Sequence, residues 1–355
     1  MTRITLLKQQ LSLLKEQEPK LRNRDLAKRL AISEAELVSL DVGDSVTRLG
    51  GNWKVLLQEL KSMGHVMALS RNEYCVHERK GVYDNIEFYE GPHNMGVAVN
   101  EDIDLRFFMN EWEYGLAVIK QHGKIGILYS FQFFNKRGEA VHKVYSTPTS
   151  DIYAYHQIVK NFRDPNQDPI IGVDTSEKEK QAEKPDSEID VESFQEDWRQ
   201  LQDTHHFFGL LRKYGLTREQ GFRLAPSGFT HKVNNQSVIQ MLQAAANKTV
   251  PIMCFVNSPG CIQIHTGPVK NLKFFGDWYN VMDPKFNLHL NMKGVHSSWI
   301  VKKPTEDGLV TSLELFDQEG NQIVYFFGAR KPGKSELEEW RELIHDLETN
   351  IQIHT

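Results

Sequence analysis

The segment Asp203-Thr-His-His-Phe-Phe208 combines residue types that suit a metal ligand in an apolar setting. An imidazole is a common metal ligand at neutral pH, and Phe207 and Phe208 place aromatic surface beside it. An apolar helix face with one imidazole is what a haem iron requires on its proximal side. A helix with two Phe and two Leu is usually plain core, so the spacing alone does not establish a ligand.

A second chemical pattern is Gly328-Ala-Arg-Lys-Pro-Gly-Lys-Ser335, which matches the phosphate-binding motif G-x4-G-K-S. Pro332 removes one backbone N–H that would hold phosphate. Only 20 residues follow Ser335, which leaves no room for the strand that supplies a magnesium-binding carboxylate. Ser335 and Glu338 have the spacing of a capping box, so the pattern predicts a helix start rather than a nucleotide site.

A third pattern, Asp25-Leu-Ala-Lys-Arg-Leu-Ala-Ile-Ser-Glu-Ala-Glu-Leu37, has the form of a DNA-binding helix-turn-helix. Residues 1–30 hold eight Lys or Arg against three Asp or Glu, which would suit a phosphate backbone. A related stretch, Leu216-Thr-Arg-Glu-Gln-Gly-Phe-Arg-Leu-Ala225, recurs with different charges. Repeated geometry favours a scaffold role, and we expect no nucleic-acid partner.

The three cysteines, Cys75, Cys254 and Cys261, lie in apolar surroundings typical of strands. They cannot form a disulfide framework, and we expect buried free thiols. A zinc site made of Cys254, Cys261 and His265 lacks the close C-x2-C spacing that such sites use.

The composition limits the class of protein and its possible partners. The chain has 355 residues, 40% of them hydrophobic and 25% charged, which is typical of a globular protein with two domains. The net charge of −5 argues against a general nucleic-acid coat. No apolar run approaches the roughly 20 residues that span a bilayer, and no secretion signal is evident. We therefore expect a cytoplasmic protein without stable membrane insertion.

The sequence contains an internal duplication. Residues 66–81 align with residues 252–267 at a constant offset of 186, and residues 130–138 align with residues 312–320. A repeat of this length indicates a duplicated domain. We predict an N-terminal repeat over 1–163, an exposed polar linker over 164–190 and a C-terminal repeat over 191–355.

The elements repeat in the same order. Helices are predicted over 1–62, strands over 63–147 and a closing helix near 149–162. The second half follows with helices over 191–247, strands over 251–327 and a last helix over 335–349. Helices first and then strands joined by tight turns predict an α+β fold with largely antiparallel sheets in each half.

Longer segments carry a family resemblance over nearly the whole chain. The chain resembles the cytoplasmic hemin-degrading and haem-transport factors of bacterial haem uptake, the HemS-like family. The segments that carry it are Arg71-Asn-Glu-Tyr-Cys-Val-His-Glu78, Asp104-Leu-Arg-Phe-Phe-Met-Asn-Glu-Trp112, Asp203-Thr-His-His-Phe-Phe208, Val301-Lys-Lys-Pro-Thr-Glu-Asp-Gly308 and Thr311-Ser-Leu-Glu-Leu-Phe316.

The resemblance implies a set of site residues. It places the axial iron ligand at His205 and a distal arginine at Arg106, which would donate hydrogen bonds to an oxygen species. The other residues that it implies around haem b are the propionate partners Arg218, Lys303 and Arg330, together with Phe108, Tyr325 and Phe327. Phe327 stands where the family pattern has a Tyr, and Tyr325 stands where it has an amide, so any role of a phenol hydroxyl at the first position is in doubt.

The implied function is capture of imported haem followed by reductive opening of the porphyrin, which releases iron. An external donor must supply the electrons, with NADH as the candidate, because the sequence has no G-x-G-x-x-G dinucleotide-binding fingerprint. An inner-membrane haem importer is the expected donor. The alternative is a non-catalytic intracellular carrier that hands haem on. The resemblance allows either an oxygen-dependent or a reduced-nicotinamide route of ring opening. It does not define the oligomeric state.

The two repeats are expected to contribute unequally. Lys8 aligns with His205, and His289 aligns with Arg106, so each half lacks one of the two key residues. We therefore predict one haem pocket assembled from both halves. His77 and His289 are candidates for a lesser second site.

Overall fold

The protein divides into two compact units of repeated design. The structure, a computed structural model, describes residues 2–92, 94–123, 126–176, 182–331 and 333–352. The first unit comprises Met1–Arg71, Glu78–Glu177 and Asn257–Gln263, and the second comprises Asn72–His77, Lys178–Val256 and Ile264–Thr355. Each unit therefore includes a short hairpin segment from the other half of the sequence.

The first half of the chain begins with helices and continues as strands. Its helices are α1 (Arg3–Gln17), α2 (Asn23–Arg29), α3 (Glu34–Ser39), α4 (Trp53–Glu59) and α5 (Ile152–Asn161). Its strands are β1 (Val46–Leu49), β2 (His65–Arg71), β3 (Cys75–Val82), β4 (Ile86–Tyr89), β5 (Met95–Val99), β6 (Asp104–Phe108), β7 (Tyr114–His122), β8 (Gly126–Phe134) and β9 (Ala140–Ser146).

The second half repeats this order. Its helices are α6 (Val191–Arg199), α7 (His206–Tyr214), α8 (Arg218–Arg223), α9 (Ser237–Lys248) and α10 (Glu338–Gln352). Its strands are β10 (Thr230–Val233), β11 (Ile252–Ser258), β12 (Cys261–Gly267), β13 (Leu272–Phe275), β14 (Trp278–Met282), β15 (Phe286–Asn291), β16 (Ser297–Thr305), β17 (Gly308–Phe316) and β18 (Gln322–Gly328).

The strands pair in the same order in both units. The first unit has the order β1-β7-β8-β9-β2-β3 and the meander β6-β5-β4. The second has β10-β16-β17-β18-β11-β12 and β15-β14-β13. The β7–β8, β8–β9, β16–β17 and β17–β18 pairings are all antiparallel. The predicted duplicated α+β fold with antiparallel sheets is confirmed.

Helix starts follow local capping rules. Ser33 caps α3 with a complete capping box, in which its hydroxyl accepts from Glu36 N and Glu36 Oε2 accepts from Ser33 N. Thr217 caps α8 at the corresponding place and accepts from Gln220 N. The repeated cap sets the first residue of both short helices, Glu34 and Arg218.

Helix α10 begins later than the sequence predicts. It starts at Glu338 rather than Ser335, so the capping box expected of Ser335 and Glu338 is wrong. The carboxylate of Glu336 accepts the backbone N–H of Thr311 on β17 at 2.5 Å, which holds this segment against the strand. Pro332, the residue that argued against a phosphate loop, lies outside the described residues.

Two further expectations differ from the structure. Each predicted helical region also contains a four-residue strand, β1 and β10. The stretch predicted as an exposed linker is partly packed, since Ile171 is buried in the same cluster as Ala35 and Val38. Its second part contacts helix α8, because Glu183 forms an ion pair with Arg223 at 3.0 Å. Residues 177–181 of this stretch lie outside the described residues.

The core of the first unit contains a neutral polar network. His142 Nδ1 lies 2.9 Å from Ser70 Oγ, and His142 Nε2 lies 2.5 Å from the hydroxyl of Tyr83. All three side chains are buried. Burial lowers the pKa of His142 to about 3, because the imidazolium form would lose its solvation.

We expect His142 to make the stability of the first unit depend on acid. Because its folded pKa lies below the ordinary value near 6.5, its contribution is complete above that pH. The contribution is lost as pH falls towards 3, at up to about 1.4 kcal/mol per pH unit. Urea unfolding of wild type and His142→Gln between pH 7 and pH 4 should show a shallower slope for the variant. A matched variant of the exposed His156, His156→Gln, should keep the wild-type slope, and equal slopes for all three proteins would contradict the assignment.

Candidate functional site

The predicted metal ligand lies at the start of α7. His205 is the N-cap residue of this helix, and its side chain is 90% exposed. Asp203 accepts hydrogen bonds from the backbone N–H of His205 at 2.8 Å and from ring Nδ1 at 2.6 Å. A carboxylate on one ring nitrogen fixes the tautomer and leaves Nε2 for a metal, which is the support found behind metal-bound imidazoles.

Asp203 is itself held ionised by this arrangement. Partial burial would raise its pKa, but the hydrogen bonds from the backbone and the ring of His205 outweigh burial, and the pKa lies below its ordinary value. An ionised Asp203 accepts from Nδ1 and keeps the ring oriented.

The two phenylalanines that follow have different roles. Phe207 is buried and packs edge-on against Trp198, with ring centroids 4.7 Å apart. Phe208 is 67% exposed, and the guanidinium of Arg212 lies 5.9 Å from its ring centroid. Phe207 therefore anchors α7 to the core, while Phe208 and His205 lie at the surface. The core interpretation applies to the face of Phe207, and the ligand interpretation of His205 stays a prediction.

A buried carboxylate lies beneath the same helix. Glu314 on β17 is fully buried and accepts from Arg218 Nε and Lys303 Nζ, each at 2.7 Å. Ser312 Oγ and Gln322 Nε2 donate to it as well, each at 2.8 Å. Four donors thus surround one carboxylate, which satisfies both of its oxygens.

The electrostatics of this cluster follow from its partners. Burial alone would raise the pKa of Glu314, but the charges of Arg218 and Lys303 overcome it and hold the pKa at about 2. Burial lowers the pKa of the Lys303 ammonium to about 8, against the opposing attraction of Glu314. At neutral pH the cluster therefore holds two cations and one anion.

Aromatic rings surround the two cations. Lys303 Nζ lies 4.7 Å and the guanidinium of Arg218 lies 5.3 Å from the ring centroid of Phe207. Tyr325 stacks on Phe255 at 4.8 Å, and Phe327 meets Phe255 edge-on at 5.4 Å. Phe207, the ring that both cations contact, follows His205 by two residues in the chain. Aromatic rings beside cations suit a flat, apolar ligand that carries carboxylates.

The predicted site residues differ in how accessible they are. Arg218 is 25% exposed, whereas Lys303 is 2% exposed and directed at Glu314. Arg330 lies 3.6 Å from a carboxylate oxygen of Asp307, and its buried Nη1 has no hydrogen-bond partner among the residues that the structure describes. The structure thus brings Arg218, Lys303, Tyr325 and Phe327 together, and it places Arg330 at the end of β18 with one donor group unused.

Arg106 and Phe108 belong to the first unit, on β6. One guanidinium nitrogen of Arg106 hydrogen-bonds to the carboxylate of Asp104 and donates to the carbonyl of Leu105 at 3.1 Å. Burial raises the pKa of Asp104 despite the nearby guanidinium. The Arg106 side chain is about one-third exposed, and Phe108 is half-buried beside it on the strand. Arg106 is thus oriented by a carboxylate on its own strand.

Other polar candidates do not form a metal site. Cys75, Cys254 and Cys261 are buried free thiols, as predicted, and burial raises the pKa of Cys261 to about 12. Within the described ranges, no group of three or more His, Cys, Asp or Glu side chains is arranged to hold a metal ion. His77 is fully buried against Phe286, and His289 Nδ1 lies 2.6 Å from Asn280 Oδ1. These contacts give both imidazoles structural partners.

Sequence reasoning missed two carboxylates of the site. Glu314 stands between Leu313 and Leu315 in an apolar strand, and a lone charge in that pattern signals a buried partner. Asp203 stands two residues before His205, a spacing that allows a carboxylate to reach an imidazole across the helix start. Both signals were present in the printed sequence.

Comparisons with known proteins agree on one family. The haemin-degrading HemS/ChuX domain matches twice, at residues 31–162 and 215–347. The hemin transport protein HmuS of Yersinia pestis is 38% identical over 325 residues, which cover 91% of this chain and 92% of that protein.

Solved structures agree with this match. The haem-bound form of PhuS, a heme-binding protein from Pseudomonas aeruginosa, is 42% identical and superposes with a TM-score of 0.93 over 98% of this chain and 99% of that one. ChuS, described as an E. coli heme oxygenase, is 34% identical with a TM-score of 0.84 over 96% and 99% of the two chains. In the part of the chain that the structure describes, no helix is long and apolar enough to cross a membrane.

We expect loss of the buried carboxylate to destabilise the second unit strongly. Glu314→Ala should lower the free energy of unfolding by about 3 to 5 kcal/mol, because two buried cations would lose their counter-charge. Denaturant unfolding at pH 7 measures this loss. The matched control is Glu183→Ala, which removes an exposed ion pair with Arg223 in the same unit and should cost less than about 1 kcal/mol. Similar losses in both variants would contradict the role of Glu314.

Proposed function

The chain belongs to the HemS/ChuX family of haemin-degrading domains, and from this membership we propose that it binds haem and opens the porphyrin ring to release iron. The observation that carries the proposal is the second unit's surface, where an exposed His205 supported by Asp203 lies on the helix whose Phe207 contacts Arg218 and Lys303. These positions are the ones at which the family resemblance places its haem contacts.

Haem requires three kinds of contact, and the second unit offers each of them. His205 supplies a nitrogen ligand for the iron. Tyr325 and Phe327, which are half-buried, supply aromatic surface for the ring. Arg218 supplies charge for a propionate, and the unused Nη1 of Arg330 supplies a second donor.

The catalytic step is assigned through the resemblance. Arg106 would donate hydrogen bonds to negatively charged oxygen that develops during turnover, and its ion pair with Asp104 orients the guanidinium. Electrons come from an external reductant, with NADH as the candidate. We further propose that an inner-membrane haem importer delivers the substrate and that the reaction takes place in the cytoplasm.

Haem transport without degradation is the second candidate function. The name of HmuS describes transport, whereas ChuS is described as a heme oxygenase. The two functions separate in one experiment, in which the haem complex is mixed with reductant in the presence of an iron chelator. Loss of the Soret band with release of chelatable iron supports the enzyme, and an unchanged spectrum supports the carrier.

His205→Ala should remove the axial ligand. We expect loss of the ligand-dependent Soret position and haem binding weakened by about a hundredfold, because the coordinate bond has no replacement at that position. Absorbance titration with haem measures both effects. His206→Ala is the matched control, since it removes the neighbouring exposed imidazole without disturbing the bond to Asp203, and it should bind haem as wild type does. Equal effects of the two substitutions would contradict the assignment.

Arg106→Ala should separate binding from turnover. Haem affinity should change by less than about tenfold, whereas the rate of Soret loss under reductant should fall by about a hundredfold. Arg106→Lys should give an intermediate rate, because an ammonium keeps the charge without the planar donor pair. Wild-type turnover in Arg106→Ala would exclude Arg106 from the reaction.

A further inference from the structure

The cation cluster of the second unit carries its own anion. Arg218 and Lys303 contribute +2 and Glu314 contributes −1, which leaves a net charge of +1. Lys303 and Glu314 are almost completely removed from solvent, so water screens these charges little. The cluster therefore has one unit of charge, rather than two, for an anionic ligand.

Glu314 also occupies donors that a ligand carboxylate would use. Arg218 gives its Nε and Lys303 gives its Nζ to the two oxygens of Glu314, at 2.7 Å each. Ser312 and Gln322 complete the coordination of that carboxylate. Each oxygen of Glu314 thus accepts two hydrogen bonds.

We propose that Glu314 is an internal counter-anion that competes with a haem carboxylate for Arg218 and Lys303 and so keeps haem binding weak enough for release. The inference rests on the proposed haem-binding function. Glu314 is a specificity-determining residue in this account, because it sets how strongly the site distinguishes a ligand carboxylate from a neutral group.

The physical argument concerns the charge left over when Glu314 is neutralised. In Glu314→Gln the guanidinium of Arg218 would lose its nearby anion, and the Lys303 ammonium would lose the attraction that opposes the lowering of its pKa by burial, so Lys303 would stay charged only with another anion close to it. A ligand carboxylate would then supply the missing anion. Binding of that carboxylate should become stronger even though the free protein becomes less stable.

The test compares haem with its dimethyl ester, in which both carboxylates are neutral. The measured quantity is the ratio of the dissociation constant of the ester to that of haem, obtained by absorbance titration of the full chain. The ratio should rise about tenfold in Glu314→Gln, because a ligand carboxylate would replace the missing anion between Arg218 and Lys303. A factor of ten corresponds to about 1.4 kcal/mol. The rate of haem transfer to excess apomyoglobin should fall in the same variant.

Two further variants keep the test valid if Glu314→Gln folds poorly. Lys303→Met leaves a net charge of zero, and the ratio should fall below the wild-type value. The double variant Glu314→Gln/Lys303→Met restores +1 and should return the ratio to the wild-type value. A ratio that is unchanged or lower in Glu314→Gln, or a double variant that does not return towards wild type, would overturn the proposal.

A matched control removes a buried carboxylate elsewhere. Glu34 in the first unit pairs with Lys143 at 2.5 Å, and both side chains are buried. Glu34→Gln should lose stability but keep the wild-type ratio, and a changed ratio would mean that the effect is not specific to Glu314. If wild type binds neither ligand, the proposed function fails and the inference fails with it. If wild type binds haem and the ratios do not follow the charge order, only the inference fails.

Discussion

The second unit depends on one buried carboxylate. Glu314 contacts a helix start through Arg218, the neighbouring strand β16 through Lys303 and the opposite neighbour β18 through Gln322. A carboxylate without these donors would be too costly to bury, and the donors would be too costly to bury without the carboxylate. The cluster therefore fixes how α8 lies on the sheet, and with it the surface below α7.

Both units have a buried ion pair at the start of an equivalent short helix, but the carboxylate and the cation have exchanged positions. Ser33 and Thr217 cap equivalent short helices, and the next residue is Glu34 in one unit and Arg218 in the other. Glu34 pairs with Lys143 on β9, whereas Arg218 pairs with Glu314 on β17. The charges of Lys143, Arg71 and Arg24 act on Glu34, and those of Arg218 and Lys303 act on Glu314. Each unit thus buries a carboxylate among cations.

The sequence was sufficient for the duplicated α+β fold because long apolar strands and capped helices are local signals. Four-residue strands such as β1 and β10 were missed, since a run this short has no clear period. The start of α10 was misplaced because a long-range bond from Glu336 to the backbone of Thr311 outweighs the local cap. Ile171 was assigned to an exposed linker because its burial depends on a partner surface that composition does not reveal.

The site shows the same division between local and long-range information. The family resemblance implies His205 as the ligand, whereas the support of its ring by Asp203 depends on the turn that precedes α7. The cations Arg218 and Lys303 were identified through resemblance, whereas the carboxylate that binds them both was not, because spacing in a strand does not reveal what lies opposite.

Charge and coordination therefore contribute separately to the proposed haem site. The exposed imidazole offers one directional bond, and the buried cluster offers a limited charge that Glu314 has already partly used. A ligand held by one bond and one net charge can be bound selectively and still be released. Both enzymatic turnover and carriage require that property, so the cluster alone favours neither function, and the choice between them lies with Arg106 and the supply of electrons.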